Sequence, residues 1–227
     1  MTLTVHDDLE QGSDAWLRAR CGIVTASVVG QLITASTLKP ANNETARGLT
    51  RKMAAERLTG HVEDTFTSAD MECGILAEPY ARDIYAEHHA PVEETGFMVR
   101  TYVEGVRIGY SPDGLVGDDG LIEIKSPRAK KHLHTIIENA VPAEHMAQLQ
   151  CGLLVSGREW IDFVSYYGGM PLWTKRVYQD PAWHQAIRDA LSAFEANAAQ
   201  MIGAYYAAVD GLPTTERIDY LAGDIVI

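Results

Sequence analysis

Cysteine, long apolar runs and basic residues are all scarce in this sequence. Its 227 residues include three cysteines, Cys21, Cys73 and Cys151, and no two of them form a C-x-x-C pair. This pattern argues against a disulfide framework and a structural zinc site, and it favours a reducing compartment. No apolar run approaches the roughly 20 residues that cross a bilayer, and the first residues lack the basic and apolar segments of a signal peptide. We therefore expect a cytoplasmic protein with no membrane contact.

Positive charge is outnumbered by negative charge. Nineteen Lys and Arg residues against 31 Asp and Glu residues give a formal net charge of −12, which disfavours a strongly basic protein that coats nucleic acid. A nuclease stays compatible with this charge, because it can concentrate its cations at one place and hold divalent ions on its carboxylates.

The chain has no internal repeat, low-complexity tract or long linker, so we expect one domain that spans all 227 residues. Its opening third reads mostly as helix: Ser13 can cap a first helix, Thr25 or Ser27 a second, and Gly60 can end a third. Pro79 either lies near the start of a fourth helix or kinks it. These predicted helices cover residues 14–20, 28–33, 44–58 and 71–89.

After residue 96, short β-branched and aromatic runs separated by Gly and Asp are typical of strands and hairpins. Strands are predicted at 97–102, 106–110, 114–116, 121–125, 160–167 and 172–178. Helices are predicted at 129–139, at 143–155 and, as a long amphipathic helix, from about 181. The last one carries an apolar stripe that we assign to the core: Trp183, Ile187, Leu191, Phe194, Ala198, Met201, Ile202 and Tyr205. This order predicts an α/β fold, with a central mixed sheet flanked by helices.

The segment 111–125 carries the residues with the clearest chemistry. Gly and Asp at 117–120 predict a turn between two strands. Side chains alternate along the second strand, so Glu123 and Lys125 share one face. Asp113 starts the first strand, where it can meet Glu123 across the turn.

Two carboxylates about 4 Å apart repel by roughly 4 kcal/mol at an effective dielectric near 20, so Asp113 and Glu123 need a neutralising partner. A divalent ion is one solution, because oxygen ligands select Mg²⁺ or Mn²⁺ over zinc. Lys125 could then position an attacking water or stabilise charge on a phosphate. A cross-strand salt bridge with Lys125 on a solvated sheet is the other solution. The spacing alone leaves both open.

Four blocks follow one another along the first two thirds of the chain: 10–16 with 20–27, a G-x-x-x-E segment at 74–82, the pair 111–115 and 123–125, and a Q-x-Q segment at 146–150. The third block resembles the core of PD-(D/E)xK nucleases. All four in this order resemble the phage lambda exonuclease family of YqaJ-type viral recombinases.

The resemblance implies a restriction-endonuclease-like core and a set of roles. Glu78, Asp113, Glu123 and the carbonyl group of Ile124 would hold Mg²⁺, for which Mn²⁺ can substitute. Asp113, Glu123 and Lys125 would be the catalytic residues, and Lys125 would orient the attacking water.

The resemblance also implies a pocket for a terminal 5′-phosphate, formed by Arg20, Ser27, Ser111 and Gln148. Considered alone, Ser27 also fits a helix cap and Gln148 a buried amide bonded to backbone. Trp16 either packs in the core or stacks on a base. A basic run is predicted to contact the DNA backbone, with a solvated helix face as the alternative: Lys125, Arg128, Lys130, Lys131, His132 and His134.

Together these features predict a Mg²⁺-dependent exodeoxyribonuclease that degrades one strand of linear double-stranded DNA from its 5′ end. It would release 5′-mononucleotides and leave 3′ single-stranded DNA for recombination. The polarity, a ring-shaped homotrimer, a single-strand annealing protein as partner and a phage or prophage origin in a bacterial host are implied by the resemblance. Two alternatives stay open: an endonuclease or RecB-like repair nuclease with the same core, and a non-catalytic module that binds DNA ends.

Overall fold

The computed structural model describes residues 1–62 and 68–218. Up to residue 88 its elements are β1 (Thr2–His6), α1 (Asp14–Arg20), β2 (Val24–Thr25), α2 (Ala26–Val29), a 3₁₀ turn (Gly30–Leu32), β3 (Ile33–Thr34), β4 (Lys39–Pro40), α3 (Glu44–Thr59) and α4 (Ala69–His88). The remaining elements are β5 (Phe97–Thr101), β6 (Arg107–Tyr110), β7 (Gly114–Val116), β8 (Gly120–Lys125), α5 (Ala129–Glu138), a 3₁₀ turn (Ala143–His145), α6 (Met146–Ser156), β9 (Trp160–Ser165), β10 (Trp173–Tyr178) and α7 (Pro181–Ala208).

The strands form two four-stranded sheets, where the sequence predicted one central sheet. The first has the order β1-β5-β6-β2 and the second β10-β9-β8-β7, and β3 pairs with β4 alone. Both larger sheets are mixed, because β2 pairs parallel with β6 and β8 pairs parallel with β9. The break between the sheets falls between β6 and β7, where Pro112 has no N–H to offer a ladder. The α/β class with mixed sheets flanked by helices is confirmed.

One large core cluster joins the two sheets. It contains Ile108 and Tyr110 of the first sheet and Leu121 and Phe163 of the second, packed with residues of α2, α3, α6 and α7. Strand β8 is buried along nearly all of its length, as expected for a strand with a neighbour on each side. The two sheets are therefore packed together at the place where β6 leads into β7.

Helices α1 and α3 begin or end at the capping residues that the sequence predicts. Ser13 accepts a hydrogen bond from the N–H of Trp16 at 3.2 Å and starts α1. Gly60, with φ of +68°, ends α3. The predicted helix at 28–33 is wrong: the chain forms the short α2, then a 3₁₀ turn, and Ile33 enters a strand. Several β-branched residues in this segment disfavour a longer helix.

The structure excludes one of the two alternatives for Pro79 and corrects the extent of the apolar stripe on α7. Helix α4 starts after Ser68, so Pro79 lies inside it and not near its start. Its missing N–H leaves the carbonyl of Ile75 without a helical donor, and Ile75 is exposed, so water can supply one. The apolar stripe of α7 belongs to the core as far as Ala198, whereas Tyr205 is 48% exposed.

All three cysteines are free thiols. Among the described helices, none has the length and apolar character needed to cross a bilayer.

Candidate active site

One cleft of about 960 Å³ is lined by all the residues that the sequence assigned to the metal, the catalytic step and the terminal phosphate, but not by His132 and His134 of the basic run. Its walls come from α1, α2 and α4, from the ends of β6 and β8, and from α5 and α6. The assigned residues that line it are Trp16, Arg20, Ser27, Glu78, Ser111, Asp113, Glu123, Ile124, Lys125, Arg128, Lys130, Lys131 and Gln148. The structure thus brings together residues that are far apart in the chain.

Glu123 lines this cleft and is hydrogen-bonded on both carboxylate oxygens. Lys125 Nζ lies 2.7 Å from Glu123 Oε1, as the shared strand face predicts. Gln148 also donates to Oε1, and the hydroxyl group of Tyr110 donates to Oε2 at 3.1 Å. The side chain of Glu123 is only 2% exposed and that of Lys125 is 30% exposed. A salt bridge with Lys125, which the sequence left open, is therefore present, but it lies within one strand and is buried on the carboxylate side.

Asp113 meets the second strand of the hairpin through the backbone. Its Oδ2 atom accepts a hydrogen bond from the N–H of Ile124 at 2.6 Å. Burial, and then repulsion from Glu123, raise the pKa of Asp113 well above its ordinary value, although Lys125 and this N–H oppose the rise. The carboxylate therefore lacks full neutralisation by protein groups.

Glu78 lies on α4 and pairs with Arg82 one turn later. Burial raises the pKa of Glu78, Arg82 opposes this, and Glu123 adds to it. Arg82 also donates from Nε to the carbonyl of Asp113 at 2.9 Å and lies 3.1 Å from Glu94. It therefore ties α4 to the start of the hairpin. The ion pair of Glu78 with Arg82 has a signal in the sequence, because residues four apart on a helix lie on the same face.

The donor chemistry of the cleft fits a hard divalent ion. Glu78, Asp113, Glu123 and the carbonyl of Ile124 offer only oxygen, which suits Mg²⁺ or Mn²⁺. Burial is the main cause that raises the pKa values of Asp113 and Glu78, and repulsion from Glu123 adds to both; a bound cation would offset both effects. Within residues 1–62 and 68–218, no three His, Cys, Asp or Glu side chains are already arranged to hold a metal ion. Glu78 faces Arg82 instead.

The residues assigned to a phosphate form a connected group beside the carboxylates. The guanidinium group of Arg20 lies 4.2 Å from the centre of the Trp16 ring and donates to Thr25 Oγ1 at 3.4 Å. Thr25 Oγ1 in turn lies 3.1 Å from Ser27 Oγ. Trp16 Nε1 donates to Ser111 Oγ at 3.1 Å. Arg20 and Ser27 are thus linked through Thr25, and Ser111 is linked through Trp16.

Two alternative readings of this group do not hold. Thr25, not Ser27, occupies the cap position of α2, so Ser27 is not a helix cap. Gln148 donates to the Glu123 carboxylate, and its side chain makes no bond to backbone among residues 1–62 and 68–218. Trp16, in contrast, packs in the core: it is 9% exposed and meets the Phe97 ring edge-on at 6.4 Å.

The basic run divides into surface and core residues. Arg128 is exposed and pairs with Asp70 at 2.9 Å, and Lys131 lies 3.8 Å from Glu144. His132 was wrongly included in this patch. It is fully buried, with its ring nitrogens 2.8 Å from Ser165 Oγ and 3.0 Å from the carbonyl of Pro171, because α5 packs that side on the second sheet.

Three residues near the carboxylates were not anticipated. Tyr110 bonds Glu123, and its only sequence signal is its place just before Ser111. Arg82 joins Glu78 to the hairpin, as described above. His145 lines the cleft and stacks on the Phe163 ring at 5.2 Å, and burial lowers the pKa of its imidazole.

Comparisons with known proteins point to one kind of relative. Residues 15–159 match the family described as YqaJ-like viral recombinase domain. The alkaline exonuclease LHK-Exo from Laribacter hongkongensis is 33% identical, with a TM-score of 0.76, over 86% of this chain and 97% of that chain.

Two further comparisons with solved structures agree. The structure of LHK-Exo in complex with dAMP is also 33% identical, with a TM-score of 0.75 over 86% of this chain and 97% of that one. A phage-related exonuclease from Haemophilus somnus 129PT, 17% identical with a TM-score of 0.63 over 81% of this chain and 96% of that one, supports the fold alone. No curated protein matches the sequence.

Proposed function

The chain belongs to the YqaJ-like viral recombinase family, and from this premise we propose that it is a Mg²⁺-dependent 5′-to-3′ exodeoxyribonuclease. It degrades one strand of linear double-stranded DNA, releases 5′-mononucleotides and leaves 3′ single-stranded DNA for recombination by strand annealing. The observation that carries this proposal is the single cleft, in which three carboxylates and a lysine lie beside an arginine and hydroxyl group suited to a phosphate. The dAMP complex of the 33% identical LHK-Exo supports a mononucleotide product.

The fold and domain organisation are part of the proposal. The β7–β8 hairpin with the parallel neighbour β9 forms a restriction-endonuclease-like core, and one nuclease domain spans residues 1–227. Support comes from the core cluster that joins both sheets and from the close match to LHK-Exo over 86% of the chain.

Glu78, Asp113, Glu123 and the Ile124 carbonyl would hold the metal ions, with Glu78 turning from Arg82 towards them. When bound, Mg²⁺ polarises the phosphodiester and stabilises the charge that develops on its oxygens. Tyr110 and Gln148 fix the orientation of the Glu123 carboxylate through their hydrogen bonds.

Lys125 acts as a cation and not as a base. Burial alone would lower the pKa of its ammonium group, but the charges of Glu123 and then Asp113 outweigh burial and raise the pKa above the ordinary value. In the metal-free protein the group therefore keeps its proton at neutral pH. It orients the attacking water by donating a hydrogen bond and stabilises negative charge on the phosphate.

The 5′ end is selected by the group around Arg20. Arginine grips a phosphate with parallel hydrogen bonds, and Ser27 and Ser111 supply hydroxyl groups at the same wall of the cleft. Gln148 connects this group to the carboxylates through Glu123. A phosphate held here lies next to the site of hydrolysis, which favours terminal over internal bonds.

The duplex itself is held by Arg128, Lys130 and Lys131, which line the cleft. Trp16 contributes by packing its ring against the Arg20 guanidinium group. A ring-shaped homotrimer around the DNA would keep an acidic chain on its substrate by enclosure. A single-strand annealing protein that takes up the 3′ strand, in the cytoplasm of a bacterial host, completes the proposed setting. Light scattering tests the ring, because a monomeric mass at working concentration contradicts it.

A time course on end-labelled linear duplex tests polarity, product and metal need together. We expect mononucleotides from the 5′-labelled strand with Mg²⁺ or Mn²⁺, and no product with EDTA. A closed circular plasmid should stay intact, whereas cleavage of the circle would identify an endonuclease. Lys125→Ala should abolish product formation, and a fully active Lys125→Ala enzyme would refute the role given to the lysine.

Loss of the Arg20 side chain tests the phosphate pocket. Arg20→Ala should reduce the preference for 5′-phosphorylated over 5′-hydroxyl ends. Equal loss on the two substrates would show that Arg20 is only structural.

A further inference from the structure

Two adjacent side chains of α3 hold the turn that follows Arg20. The N–H of Gly22 donates to Glu56 Oε2 at 2.8 Å, and Arg57 Nε donates to the carbonyl of Gly22 at 2.8 Å. The Cys21 thiol lies 3.3 Å from the backbone carbonyl of Glu56. One helix therefore binds both backbone polar groups of a single glycine at the turn between α1 and β2.

The local backbone leaves this turn few alternatives. Gly22 has φ of +66°, and a Cβ added to it would lie 2.4 Å from Arg57 Cγ. Residues with side chains rarely adopt this φ. Both the dihedral angle and the close approach of Arg57 therefore require glycine at position 22.

Arg57 is fixed in turn by α7. Its two terminal nitrogens donate to the two carboxylate oxygens of Glu195 at 2.6 and 2.7 Å. Its guanidinium group also lies 5.2 Å from the centre of the Phe194 ring, and Phe194 belongs to the main core cluster. The contact with Gly22 is thus anchored to the interior of the protein.

Glu56 contributes charge as well as a hydrogen bond. It is only 4% exposed, and a buried carboxylate is costly unless it is bonded and near a positive group. Burial lowers the pKa of the Arg20 guanidinium, and the negative charge of Glu56 opposes that change. Glu56 therefore both binds the turn after Arg20 and favours the charged form of Arg20.

We propose that Glu56 and Arg57 are positioning residues that determine the 5′-end preference, because they fix the turn that carries Arg20 into the cleft. The proposal rests on the proposed 5′-exonuclease function. With the turn held, the Arg20 guanidinium lies over Trp16 and bonds to Thr25 before any substrate arrives. Binding a phosphate then costs little further conformational entropy, because the Arg20 side chain is already ordered in the folded protein.

The test measures kcat/KM on matched blunt duplexes with 5′-phosphate or 5′-hydroxyl ends, in Mg²⁺. Glu56→Ala removes the acceptor of the Gly22 N–H. Gly22→Ala adds a Cβ that would lie 2.4 Å from Arg57 Cγ and displaces Arg57 from the turn. In each variant we expect the phosphate-to-hydroxyl ratio to fall about tenfold, the factor that corresponds to one lost hydrogen bond to a charged group. Should Glu56→Ala not fold, Glu56→Gln keeps the volume, removes the charge and should lower the ratio in the same direction.

Glu195→Gln is the matched control, because it removes the charge of the ion pair with Arg57 while a carboxamide oxygen can still accept from Arg57, the Phe194 contact still holds the guanidinium group and both bonds to Gly22 are kept. It should lower the melting temperature and keep the parent ratio. If Glu56→Ala and Gly22→Ala lose activity on the two ends by the same factor, the residues are merely structural and the inference is wrong. A parent enzyme that shows no preference for phosphorylated ends would instead overturn the phosphate pocket, and the inference with it.

Discussion

Replacing Lys125 with methionine should destabilise the metal-free protein as well as inactivate it. Methionine keeps most of the side-chain volume, so the change removes the ammonium group without opening a cavity. Glu123, with a side chain 2% exposed, then loses the cation that lies 2.7 Å from its Oε1 atom. The hydrogen bonds from Tyr110 and Gln148 remain, but both donors are neutral.

The size of the effect follows from the burial of the pair. Breaking a buried ion pair costs about 3 to 5 kcal/mol. Because the Lys125 side chain is 30% exposed, we expect the loss of its pair with Glu123 to cost about 3 kcal/mol. For a chain of this length that loss lowers the melting temperature by about 6 to 12 °C. Thermal unfolding followed by circular dichroism in EDTA measures it. Lys131→Met is the control, because Lys131 is exposed and lies 3.8 Å from Glu144, an arrangement worth less than about 1 kcal/mol.

The stability lost in Lys125→Met should also depend on pH. The folded protein raises the pKa of Asp113 above the ordinary value of 3.8, so the folded state binds its proton more tightly than the unfolded state does. Stability therefore falls as the pH rises from that ordinary value through the raised one. Lys125 opposes the rise in pKa, so its loss should matter more above the folded-state pKa of Asp113 than below it. A deficit no larger than that of Lys131→Met, or one that stays constant across the pH range in which the protein is folded, would refute this reasoning.

Three further results are expected. In gel-shift assays, linear duplex should bind more tightly in Ca²⁺ than in EDTA, because cations neutralise the carboxylates of the cleft; equal binding would contradict that charge balance. Gly120→Ala should lower the free energy of unfolding in urea by about 2 kcal/mol, since its Cβ would lie 2.2 Å from the Trp160 ring. Gly48→Ala should raise that free energy by about 0.5 to 1 kcal/mol, because Gly48 lies inside α3 and its Cβ would meet no atom within 4 Å beyond the backbone of its own helix. Cys73, which is exposed and lines the cleft, should react with iodoacetamide in the native protein and be protected by linear duplex; labelling unchanged by DNA would place the duplex elsewhere.

The hairpin could be predicted from the sequence because its determinants are local. The alternation of side chains along β8 depends only on the strand conformation, so the pairing of Glu123 with Lys125 follows from their spacing. The turn at 117–120 is similarly encoded by Gly117, whose φ is +54°. Glu78, in contrast, entered the site only through the family resemblance, because its position depends on how α4 packs.

Errors and omissions arose where distant parts of the chain decide the outcome. His132 belongs to a basic run, but its burial is set by Ser165 and Pro171, which lie on or beside the second sheet. The ion pair of Arg57 with Glu195 joins residues 138 positions apart, and no local pattern encodes it. Such contacts between a side chain and a remote partner become visible only when the helices are packed.

The distribution of charge explains how a chain with a net charge of −12 can act on DNA. The cleft is lined by five Lys or Arg side chains and four Asp or Glu side chains, so it is close to neutral while the rest of the surface is strongly negative. Each divalent ion that the carboxylates would bind adds two positive charges, which favours the approach of a phosphate backbone to the cleft. The excess of negative charge elsewhere disfavours contact with the duplex there, so binding would depend on the same ions that the proposed hydrolysis needs.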